Sequence, residues 1–109
     1  MTRSDDHRLA DIRNAAGELA LIVDHGRDAF DNDSVLRRAA ERLLEIIGEA
    51  ANMLGEDTTG RYPDVPWNDI SRLRIVLAHH YHRVDAGQVW TIATTDVPGL
   101  VAALSKTDD

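Results

Sequence analysis

The sequence predicts an all-α bundle of four to five helices. Apolar residues recur at spacings of three and four through three long stretches, the signature of one-sided helices. Nowhere do they alternate with polar residues as strands require. Glycine, proline and short capping side chains fall between the stretches, where helices start and stop. At 109 residues, of which 43% are apolar and three are proline, the chain suits one domain with a modest core. It is read as a single domain, 1–109, with 105–109 as a frayed tail.

The first helix follows from Ser4 as N-cap, with Asp5 and Asp6 in the turn where the helix dipole favours acids. Leu9, Ile12, Ala16, Leu19 and Val23 form its apolar face, and Gly26 suits the left-handed position that closes it near Asp24. Phe30 is expected to plug the following loop into the core. Capping candidates at 31–34 open a second helix over 35–54. Its apolar set is Val35, Leu36, Ala39, Ala40, Leu43, Leu44, Ile46, Ile47, Ala50, Ala51 and Leu54, broad enough to face two neighbours. Gly48 inside it costs ~1 kcal/mol against alanine, which a close helix crossing or a dimer contact explains. Residues 56–66 are polar and turn-rich, and read as one long loop.

Pro66 then opens a third helix, its missing N–H harmless at the first position. Ile70, Leu73, Leu77, Tyr81 and Val84 give its inner face. Asp85 and Gln88 read as a capping box, the carboxylate accepting from the Gln88 N–H, for a short helix over 86–94 with Val89, Trp90 and Ile92. Asp96 and Pro98 begin a last helix through Leu100, Val101 and Leu104.

The formal charge is −7. General nucleic-acid coating needs a basic surface, so any phosphate site must be a local arginine cluster. Cysteine is absent, which excludes disulfides and thiolate metal sites and is compatible with a reducing cytoplasm. No stretch approaches a membrane span, and the N-terminus lacks an apolar leader. A cytoplasmic location is expected.

The third helix carries Arg72, Arg74, His79, His80, Tyr81, His82 and Arg83. Arg74, His79 and Tyr81 fit the spacing R-x4-H-x-Y: a cation for phosphate, a proton carrier near neutral pH and a hydroxyl acceptor. On a regular helix Arg74 and Tyr81 lie ~20° apart, whereas position 79 lies ~140° from Arg74. Convergence in one chain needs a distorted helix near 76–78 or a wrapping arginine; otherwise a two-fold partner must supply the second group. The residues alone leave other readings open. Arg72 and Arg83 suit a solvated rim, Tyr81 and His80 suit the core edge, and His79, His82 and Asp85 form a low-specificity divalent-metal row.

Farther afield, Glu45, Gly48, Glu49, Ala50, Ala51, Val65, Pro66, Trp67, Ile70, Leu73, Arg74, His79, Tyr81, Val84, Asp85, Val89, Trp90, Ile92, Asp96, Pro98 and Leu100 resemble, in order, the HepT family. These HEPN-superfamily toxins are encoded beside a minimal nucleotidyltransferase (MNT) antitoxin, in a type VII-like toxin–antitoxin pair. The resemblance runs from about Leu9 to Leu104. It implies a homodimeric, HEPN-like, metal-independent endoribonuclease that needs no cofactor, with Arg74 and His79 catalytic in a cleft at the dimer interface. It further implies that the antitoxin adenylylates Tyr81 using ATP. The family commonly has asparagine after the arginine, where this chain has Ile75; His80 and His82 stand where glycine and an aromatic are frequent. A non-catalytic helical dimer that binds a nucleotidyltransferase is the competing expectation.

Overall fold

The computed structural model describes residues 3–79 and 85–106. Their order is α1 (Arg3–Val23), α2 (Arg27–Asn32), α3 (Ser34–Asn52), α4 (Glu56–Gly60), α5 (Trp67–His79), α6 (Ala86–Thr91), a π-helical turn (Ile92–Asp96) and α7 (Val97–Lys106). The fold is all-α, with no strand among the described residues.

The central rod is α3, which packs against α1 on one side and α5 on the other. Its stripe explains this: Ala40, Leu44, Ile47, Ala50 and Ala51 are buried, joined by Leu9, Ile12, Ala15 and Leu19 of α1 and Leu77 of α5. The expected stripe overreaches at its start, because Val35 is 71% exposed and Ala39 is also exposed. The first turns of α3 extend past the core.

Gly26 takes φ +92° and stops α1 as its lack of a Cβ allows. Phe30 does enter the core, but from a short helix rather than a loop. Its ring meets Trp90 of α6 at 5.2 Å, and the Arg27 guanidinium lies 5.8 Å from the same indole. Asp33 caps α3 by accepting from the Val35 N–H at 2.9 Å.

The expected loop over 56–66 begins instead as a helix, α4. The cause lies at the other end of the chain. Asp5 is buried, and its carboxylate accepts from the Thr58 hydroxyl and from the Gly55 N–H at 3.3 Å. Asp5 therefore tethers the start of α4 rather than simply complementing the dipole of α1, and Ser4 lies inside α1 rather than capping it. The Thr58 bond is the main cause holding the Asp5 carboxyl below its ordinary range; the Gly55 N–H and Arg8 act the same way and burial opposes them.

Asp85 caps α6, but through the Gly87 N–H at 2.8 Å rather than that of Gln88. No break separates α6 from the last helix. Pro98 has no N–H, and its ring crowds the carbonyl four residues back. The chain meets this by widening into the π turn, in which the Val97 N–H reaches the Ile92 carbonyl. Helix α7 continues through Lys106, so 105 and 106 are helical; the rest of the expected frayed tail, 107–109, lies outside the described residues.

Candidate active site

Helix α5 is placed by one residue of its neighbour. A Cβ at Gly48 would lie 2.7 Å from the Arg74 backbone nitrogen, 3.0 Å from the Ile70 carbonyl oxygen and 3.2 Å from the Leu73 Cβ. The first two atoms are backbone and cannot rotate away. Gly48 therefore lets α3 and α5 cross almost backbone to backbone, at the turn that carries Arg74. This is the close crossing that a mid-helix glycine suggested.

From there the Arg74 side chain emerges half-buried. Its Nε is enclosed and has no hydrogen-bond partner among the described residues. An enclosed polar group without a partner costs ~1–3 kcal/mol, more when charged. Arg72 is exposed, as the rim reading expects. Ile75 and Val76 are each 43% exposed, which gives α5 an apolar outer face. By the 100° count, positions 72, 75, 76 and 79 all fall on that outward side, within ~100° of one another.

The helix is regular from Trp67 to His79, so no distortion at 76–78 brings Arg74 round to position 79. The His79 side chain, His80, Tyr81, His82, Arg83 and Val84 lie outside the described residues, as do the proposed tyrosine modification and most of the metal row. Of that row, Asp85 is engaged as the cap of α6. Among the described residues, no group of three or more His, Asp or Glu could hold a metal ion. No helix among them is long and apolar enough to cross a membrane.

The features sequence reasoning missed are the enclosed Nε and the identity of the backbone facing Gly48. A glycine inside a strongly apolar helix marks a close approach, but not which helix approaches.

These features define an all-α domain that presents an arginine and a histidine position on one rigid, closely packed helix. Comparison with known proteins makes the class specific. A profile described as ribonuclease HepT-like matches residues 12–107, and the chain belongs to the HepT-like family. A Methanocaldococcus jannaschii protein provisionally named an RNase is 42% identical over 79 residues, covering 72% of this chain and 65% of the relative. A second from the same organism, also provisionally named an RNase, is 36% identical over 83% of this chain and 84% of its own length. A Thermococcus cleftensis protein provisionally named ribonuclease HepT is 34% identical over 97% of both chains. No solved structure gives a significant match.

Proposed function

We propose that the chain is an endoribonuclease that cleaves RNA without a metal, using Arg74 and His79. In this reaction the RNA supplies its own nucleophile. The 2′-oxygen attacks the adjacent phosphorus, the 2′-proton passes to a base, and the 5′-oxygen leaves with a proton from an acid. His79 serves as one of these proton carriers, worth ~10²–10⁴-fold in rate. Arg74 holds the phosphate and offsets charge on its oxygens. The observation that carries this reading is the Arg74 Nε, enclosed and without an acceptor among the described residues, on a helix that Gly48 fixes in place.

The pair comes together between two subunits. The straight run of α5 and its exposed Ile75 and Val76 support a homodimer in which each α5 completes the other's site.

The partner is an MNT-type antitoxin that transfers AMP from ATP to the Tyr81 hydroxyl, releasing pyrophosphate. The added negative charge repels an RNA phosphate two residues from His79, and the adenosine crowds the cleft. Intact-mass measurement after incubation with antitoxin and ATP tests this; an unchanged mass, or a gain that persists in Tyr81→Phe, contradicts it.

The catalytic reading is tested with purified His79→Ala and Arg74→Ala proteins, each expected to lose RNA cleavage while keeping the fold. Full activity in His79→Ala overturns it. Ile75 beside Arg74 and the net charge of −7 favour the second reading, a helical dimer that only binds the nucleotidyltransferase. Inactive wild-type protein that still forms that complex would establish it.

A further inference from the structure

We propose that the cleft between α5 and the wall formed by the π turn and α7 is a docking groove for a helical segment of a protein partner. That segment presents a row of apolar side chains flanked by lysine or arginine. The proposal does not depend on Arg74 or His79.

The cleft holds about 530 Å³, with Ile47, Ile70, Leu73, Ile92 and Leu100 among its apolar lining. Ile47 and Leu100 are buried, while Ile70, Leu73 and Ile92 are half-buried. Residues of α5 and α7 both line the cleft, so this apolar surface lies open between them. Three carboxylates, Asp64, Asp69 and Asp96, line the same cleft, and no basic residue among the described ones does. All three are exposed, and none has an ion-pair partner among the described residues.

Charge selects the occupant. Three unneutralised carboxylates beside an apolar floor repel RNA phosphates and attract a cationic partner. They do not converge on a metal, since no group of three acids or histidines among the described residues can hold one. A basic amphipathic helix satisfies both the floor and the rim, the helix-in-groove mode of recognition. Length agrees: the wall from 92 to 103 spans ~16 Å, about three turns of a partner helix. The wall also contains the π turn, whose Thr95 and Asp96 face the cleft; such turns recur where helices are shaped for function. Arg74 is not among the residues that line the cleft.

The test uses the full chain, isotope-labelled for NMR, and a synthetic helical peptide of about three turns. The peptide carries leucines along one face and lysines beside them; a second version replaces lysine by glutamate. The lysine peptide is expected to bind with shifts confined to the residues lining the cleft, and the glutamate peptide is not. Asp64→Lys combined with Asp96→Lys should weaken binding about tenfold, the sum of two reversed surface charge pairs, and leave RNA cleavage unchanged. Equal binding of both peptides, or shifts spread over the whole surface, overturns the proposal. So does a change in sedimentation of the charge-reversed protein without peptide, which would make the groove a contact between copies of this chain.

Discussion

The two flanks of α5 are built in opposite ways. Toward α3, Gly48 admits the backbone of α5 so closely that a single methyl group cannot be added. Toward α7, the helices part around an open apolar cleft rimmed by acids. The difference teaches where the fold invests rigidity. The flank that sets the Arg74 backbone is packed without slack, and the other keeps apolar surface exposed despite the hydrophobic cost.

The effect that separates the two flanks most directly is expected at Gly48, where stability and cleavage change together. Gly48→Ala forces α3 and α5 apart and should destabilise the fold by ~1–3 kcal/mol or more, as overpacking does, while lowering RNA cleavage through displacement of Arg74. Urea denaturation and a cleavage assay check both. Gly17, whose Cβ position is open, gives the contrast: Gly17→Ala inside α1 should stabilise by ~0.5–1 kcal/mol. Equal effects at the two glycines would remove the case for a tight crossing.

A pair of truncations sets the stability scale for the same contrast. Leu44 is fully buried in the core, and Leu44→Ala should cost ~2–5 kcal/mol. Ile92→Ala removes a half-buried side chain of the cleft and should cost less than half as much by the same denaturation measurement.

The smallest effect concerns acid. Asp5 is held ionised chiefly by the Thr58 hydroxyl, so its folded carboxyl titrates below its unfolded one. The resulting stability is fully present above the ordinary aspartate range and drains away as pH falls through the depressed folded value. Asp5→Asn should therefore lower stability at neutral pH and flatten the loss below about pH 4. A mutant whose acid unfolding curve parallels the wild type contradicts the tether.

Much of this architecture was legible from apolar spacing. Leu9, Ile12, Leu19, Leu44, Ile47 and Leu104 are all core residues, because a 3.6-residue period read over several turns has few alternatives. What escaped depends on distant partners. Nothing local in 56–66 reveals that Asp5, some fifty residues earlier, will tether the start of α4. Pro98 reads as a break, and only the whole wall shows that the chain widens its turn instead. Val35 fits the apolar period, but it lies in the first turn of α3 and is 71% exposed. For the site, Arg74 was legible as a motif member, while its enclosure required knowing which helix Gly48 meets.

The central claim is that Arg74 of one subunit and His79 of another form one RNA-cleaving site. Mixing inactive Arg74→Ala protein with inactive His79→Ala protein, after unfolding and refolding together, tests it most directly. Heterodimers then carry one intact Arg74/His79 pair across the interface, and RNA cleavage should return. A mixture that forms heterodimers yet stays inactive would contradict the shared site.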